Sequence, residues 1–173
     1  VHMELKQWSN KGVTLCDSDG NFQAEEKVDE ITFNVTAYTG HANRIVPHPS
    51  QQVKGYHGYL SNFIEVISNE ELHLNGVAYC YNYQKNHPKH PSYLFDEKYQ
   101  KLLDEYPTYA KDQKDELVGK LSYLLKKGEG LSVFNKMISS PIRPSKKLLN
   151  EVTAMIEDGN TSAFSLLEDQ IVA

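Results

Sequence analysis

Two pairs of side chains have the types and spacing to do chemistry together. Glu4 and Lys6 are two apart in Val1-His-Met-Glu-Leu-Lys-Gln-Trp8, and Gln52 and Tyr56 are four apart in Gln52-Val-Lys-Gly-Tyr56. The first run reads as a strand over about residues 2–8, and alternation along a strand puts Glu4 and Lys6 on one face with Leu5 on the other. A carboxylate and an ammonium side by side at a sheet edge can hold a divalent cation and a water against a phosphodiester. In that chemistry Glu4 ligates Mg²⁺ or Mn²⁺, and the carbonyl oxygen of Leu5 adds a donor, since hard cations take oxygen ligands. Lys6 positions or activates the attacking water and stabilises phosphate charge. Gln52 and Tyr56 share one side of a helix. The amide can hydrogen-bond a phosphate or a metal-bound water, and the phenol can pack and donate to the same site. Each motif is common alone. E-x-K also suits the solvent face of an amphipathic strand, and Q-x-x-x-Y also suits a polar helix start with Tyr56 in its apolar stripe. Their order gives them weight: strand with E-x-K, strand, helix with Q-x-x-x-Y, strand.

The elements that must position these groups follow from periodicity. Residues 9–27 are loop-like, and Glu30-Ile-Thr-Phe-Asn-Val-Thr-Ala-Tyr38 alternates and is rich in β-branched and aromatic residues, so a second strand is predicted there. A loop over 39–49 ends in Pro47-His-Pro49. A helix begins near Ser50, with Val53, Tyr56, Leu60, Phe63, Ile64 and Ile67 on one apolar face. A strand over 72–83 follows, with a tight turn at Asn75-Gly76. After Tyr83 the character changes. Gln84-Lys-Asn-His-Pro-Lys-His-Pro91 is a polar hinge, and helices are predicted over about 93–105, 112–127, 131–139 and 145–158. The chain thus divides into a mixed α/β part, 1–83, and a helical part, 84–173.

Other candidates are weaker. The histidines match no zinc spacing, and Asp17-Ser-Asp-Gly-Asn21 lacks the register of a calcium loop. Arg143, Lys146 and Lys147 form a small basic cluster that could touch nucleic-acid phosphates. It also suits a solvated helix face.

Composition bounds the function classes. The chain has 173 residues and a net charge of −5, whereas a dedicated nucleic-acid binder is usually basic. Positive field would have to come from a metal site or a basic partner. Two cysteines, Cys16 and Cys80, without metal-type spacing point to a reducing compartment, and there is no signal-peptide pattern, so the cytoplasm is expected. No apolar run approaches the roughly 20 residues that span a bilayer, so no membrane partner is expected.

Glu4-Leu-Lys-Gln-Trp8, His48-Pro-Ser-Gln-Gln-Val53, Ala78-Tyr-Cys-Tyr-Asn-Tyr83, Arg143-Pro-Ser-Lys-Lys-Leu-Leu149 and Leu167-Glu-Asp-Gln-Ile-Val-Ala173 carry a resemblance over nearly the whole chain. The chain resembles uncharacterised bacterial proteins in which a PD-(D/E)xK nuclease-like region, with RecB-type ExK and QxxxY motifs, leads into a Schlafen-type P-loop helicase domain. The resemblance implies an α/β restriction-endonuclease-like mixed sheet, incomplete at its N-terminus, followed by a C-terminal helical subdomain that bridges to the helicase. It implies Mg²⁺ or Mn²⁺ as cofactor in the parent and DNA or RNA as substrate. Glu4, Lys6, Gln52 and Tyr56 match the family's motif positions. The first metal-binding aspartate would lie on an upstream strand, and the Walker A loop would follow residue 173. The expectation is therefore a nuclease region truncated at both ends, inactive and without bound metal as a fragment, with an open sheet edge that a second copy could cover. The alternatives are a non-catalytic nucleic-acid-binding or helicase-docking module on a nuclease-like fold, and a structural linker domain.

Overall fold

A computed structural model describes residues 1–15, 33–39, 41–126 and 128–143, with Thr153 besides. The alternation at the start of the chain forms β1 (His2–Lys6). Val13–Leu15 forms β2, Asn34–Thr39 β3 and Ala42–Pro47 β4. Helix α1 spans Pro49–Phe63 and the short α2 Glu65–Ser68. The apolar run Gly76–Cys80 is β5, α3 is Gln100–Glu105, β6 is Thr108–Ala110, α4 is Lys114–Leu124 and α5 is Gly130–Ile138.

The strands make two sheets. One is parallel, in the order β1-β5-β6, with His2 opposite Gly76, Lys6 opposite Cys80, and Cys80 opposite Ala110. Its central strand reads apolar throughout because it is covered on both faces: Gly76, Val77, Ala78 and Cys80 are all buried. The other sheet is antiparallel, in the order β2-β3-β4. Helix α1 crosses from the second sheet to the first, and its start is fixed by capping. His48 accepts the Ser50 N–H at 3.1 Å on Nδ1, and Pro49 occupies the first turn, where its missing N–H costs nothing.

The mixed α/β class matches the sequence reading, but several elements differ from it. The predicted loop over 39–49 is a strand, β4, in a hairpin with β3; His41 turns the corner at φ 74°. The predicted helix over 93–105 is two single 3₁₀ turns, Tyr93–Phe95 and Glu97–Tyr99, with only Gln100–Glu105 α-helical. Asp96 explains the break: its side chain accepts the Lys98 N–H, capping a new turn in mid-segment. Asn75-Gly76 makes no hairpin but leads straight into β5. The polar stretch after Tyr83 is not a hinge between two bodies. Val13, Val35, Ala37, Cys80, Tyr83, Leu94, Tyr99 and Ala110 form a single core cluster, and β6 adds to the sheet of β1 and β5. The chain on either side of residue 83 therefore shares a core, and within 84–143 α3, α4 and α5 are joined by 3₁₀ turns and β6 rather than forming a purely helical part. Of the predicted helix over 145–158 only Thr153 is described, and it is helical; residues 30–32 of the predicted second strand, and Lys146 and Lys147, lie outside the described residues.

Candidate functional site

On β1 the even-numbered side chains face inward and the odd-numbered ones outward. His2, Glu4 and Lys6 are half-buried, while Met3 and Leu5 are exposed, Leu5 by 59%. This inverts the usual arrangement, in which leucine goes in and charges go out. The expected shared face is present: Lys6 Nζ lies 2.7 Å from Glu4 Oε1, and the two side chains are only 18% and 19% accessible. Lys6 also stands over the Trp8 ring, 5.3 Å from its centroid, a cation–π contact that limits where the ammonium can swing.

The backbone of β1 supplies a second element. His2 N–H donates to the Asn75 carbonyl at 2.8 Å, and Tyr81 N–H donates to the Lys6 carbonyl at 3.2 Å. In a parallel ladder the residues between such bonded positions turn their N–H and C=O the other way. Met3 and Leu5 therefore aim their backbone groups at the free edge of β1, where no strand pairs among the described residues. The Leu5 carbonyl is thus available as a donor beside Glu4.

Helix α1 covers the inward face of β1. His2 Nε2 is 3.2 Å from the Val53 carbonyl, and the His2 and His57 rings are 6.1 Å apart. Burial, then the nearby His2, lower the His57 pKa, with Glu105 opposing, so this contact favours a neutral imidazole. Gly76 makes the close approach possible, since a Cβ there would collide with Val53 Cγ1 and the His2 ring. Gln52 sits one residue before Val53, about 100° round the helix, and its Nε2 donates to the Pro47 carbonyl at 2.8 Å. Tyr56 follows one turn later and is 52% exposed, not part of the buried stripe. The buried α1 residues are Pro49, Ser50 and Val53. Gln52 and Tyr56 share a side of α1 as expected, but among the described residues no hydrogen bond or ion pair joins them to Glu4 or Lys6. Arg143 is engaged elsewhere: its guanidinium grips Glu65 with two bonds, Nε–Oε2 at 2.7 Å and the NH2 nitrogen to Oε1 at 2.5 Å.

For a divalent cation the fit is partial. Among the described residues no three His, Cys, Asp or Glu side chains converge on one point. Mg²⁺ is commonly held by one or two carboxylates, with waters and substrate phosphates completing six oxygens. Glu4 and the Leu5 carbonyl fit one half of such a set. His2, on the same face as Glu4, was not singled out from the sequence, although the i, i+2, i+4 alternation that links Glu4 to Lys6 also includes it. Among the described residues no helix is long and apolar enough to cross a membrane.

Comparison with protein-family models, with curated proteins and with solved structures finds no match to this chain.

Proposed function

We propose that this chain is the metal-dependent nuclease region of a nuclease–helicase protein and hydrolyses phosphodiester bonds of DNA or RNA on a PD-(D/E)xK-like core. The observation that carries the reading is the inverted strand β1. A strand that turns Leu5 to solvent and half-buries Glu4 and Lys6 gives up hydrophobic burial to hold two charges at a sheet edge. Glu4 and the Leu5 carbonyl would hold Mg²⁺ or Mn²⁺, which when bound polarises the phosphate and lowers the pKa of water. Lys6, fixed between Glu4 and Trp8, orients the attacking water and stabilises charge on the phosphoryl oxygens. Gln52 and Tyr56 reach substrate from the first turns of α1. A further strand carrying an acidic residue, paired at the free edge of β1, completes the oxygen ligands. The P-loop helicase domain of the same parent protein is the partner in this reading. A cytoplasmic setting suits Cys80, a buried free thiol whose pKa burial pushes up to about 12.

The test incubates the longest natural chain containing these residues with labelled single- and double-stranded DNA and RNA and with Mg²⁺ or Mn²⁺. Lys6→Ala is expected to lower cleavage by about 10²-fold or more while leaving the fold intact. Cleavage that survives Lys6→Ala, or no cleavage with either ion, would sink the reading.

One observation favours a second reading, a non-catalytic module that binds nucleic acid or docks the helicase. Helix α5 leaves Leu131, Phe134 and Ile138 exposed, more apolar surface than the described residues cover. Nucleic-acid binding without hydrolysis in the same assay selects it.

A further inference from the structure

The three parallel strands end on one side of the molecule, and the loops that follow them meet there. Residues 9–11 follow β1, residues 82–90 follow β5, and Lys111 follows β6. Between these loops lies a cleft of about 430 Å³ whose wall carries Lys11, Lys111, His87, His90 and Asn82. Among the described residues no carboxylate lines it, in a chain with 23 acidic residues and a net charge of −5. The adjacent acid, Asp112, is turned away. Its two oxygens accept the Lys85 and Asn86 N–H groups at 2.8 and 2.9 Å. Burial acts to raise its pKa, but those backbone bonds outweigh it and hold the carboxyl below its ordinary range.

The cleft is braced before any ligand arrives. Buried Asn10 spans both backbone groups of Gln84, donating to its carbonyl and accepting its N–H, each at 2.8 Å. Ser92 Oγ bonds the Gln84 and Lys85 carbonyls, and Lys111 N–H donates to the Tyr83 carbonyl at 2.7 Å. His87 Nδ1 accepts two backbone N–H groups, from Lys89 and His90, both at 3.1 Å. The ring proton of the neutral form therefore sits on Nε2, which is left as a donor. The His87 and His90 rings lie 4.8 Å apart. A wall of ammonium, imidazole and amide donors, with no competing carboxylate among the described residues, is complementary to an oxyanion. Its place at the carboxyl ends of parallel strands is where open α/β sheets hold ligands.

We propose that this cleft binds phosphate groups, and that the phosphates are those of a polynucleotide backbone. The second clause rests on the nuclease reading, in which Lys6 ends the strand whose loop begins the cleft wall. The cleft would then grip the chain on one side of the bond to be cut, supplying the positive field that the overall composition lacks.

The test measures binding of a labelled single-stranded oligonucleotide to the chain by fluorescence anisotropy, without divalent ions, over a range of salt. Lys11→Glu/Lys111→Glu is expected to weaken binding at least tenfold and to flatten the slope of log K against log salt by about 0.7 for each lysine. Lys101→Glu/Lys120→Glu, two exposed lysines on α3 and α4 outside the cleft, makes the same change in net charge and serves as the control. Equal weakening by the control, or no change in the double variant, would overturn the proposal. Inorganic phosphate is titrated separately. If it binds and the double variant loses it while no oligonucleotide binds, the phosphate site stands and its nucleic-acid assignment falls. Glu4 and Lys6 are untouched throughout. Cleft-dependent binding in a protein that never cleaves therefore counts against the nuclease reading alone.

Discussion

His48 makes two hydrogen bonds inside the core, and together they fix its protonation state. Nδ1 accepts the Ser50 N–H, so Nε2 must carry the proton and donate to the Leu94 carbonyl at 3.0 Å. The ring also packs on Tyr99, centroid to centroid 4.5 Å. Burial, opposed by the Leu94 bond and reinforced by Lys98, pushes the His48 pKa from 6.5 down to about 4. Because the folded state disfavours the proton, the stability this residue contributes is complete above pH 6.5. Below that the unfolded chain takes a proton that the folded chain refuses until about pH 4. Stability is expected to fall by about 1.4 kcal/mol per pH unit across that window. Urea unfolding at pH 7.5, 6 and 5 checks this: His48→Gln, which lacks the titrating ring, should show a shallower pH slope than the parent. Equal slopes would remove His48 as the cause. The sequence placed Glu4 and Lys6 on a common face because alternation is a local rule. It gave no sign that His48 is a cap, because a histidine between two prolines in a polar run looks like loop until a core closes over it.

Among the elements, the contact of α1 with the parallel sheet is the most sharply constrained. Gly76 lies beneath both Val53 and His2, so any side chain there must push the helix off the strands. Gly76→Ala is expected to destabilise by about 1–3 kcal/mol through overpacking, read as a lower midpoint in urea. The same change at Gly55, whose Cβ would meet nothing within 4 Å, should be neutral or slightly stabilising through helix propensity. A neutral Gly76→Ala would mean that α1 packs elsewhere. Helix α1, strand β5 and helices α4 and α5 were legible, each carried by a long or strongly periodic run. β4 was not, because Ala-Asn-Arg-Ile-Val-Pro47 lies almost wholly in solvent and so carries no apolar alternation. β6 was not, because three residues hold no period; Thr108–Ala110 is a strand only because β5 offers it a ladder. Tyr56 fitted the predicted stripe by spacing, yet the sheet takes up the neighbouring side of the helix through Val53 and His57.

At the scale of the whole molecule, the edge of β1 that is unpaired among the described residues offers a place for another strand. Its outward backbone groups belong to Met3 and Leu5, and antiparallel pairing of two copies about Leu5 would bond Leu5 to Leu5 and Met3 to Gln7 of the other copy. In that register Glu4 of each copy faces Lys6 of the other, and Leu5 stacks on Leu5. Glu4→Lys and Lys6→Glu should therefore each be monomeric, and an equimolar mixture of the two should recover a dimer by light scattering. This 173-residue chain, unsubstituted and still monomeric at high concentration, or a mixture that fails to associate, would exclude this pairing. The same strand also sets the order in which the molecule can assemble. The β3–β4 hairpin closes over a short corner, but the partner of β1 among the described residues, β5, lies far along the chain, with His2 waiting for Gly76 and Lys6 for Cys80. On a ribosome β1 emerges well ahead of β5 and is satisfied late, after the hairpin and α1 have been made. A nascent chain therefore carries an unpaired strand, with Leu5 bare on one face and two charges on the other, through much of its synthesis. The charges then act as a guard against premature pairing during the interval in which the strand is most exposed to other chains.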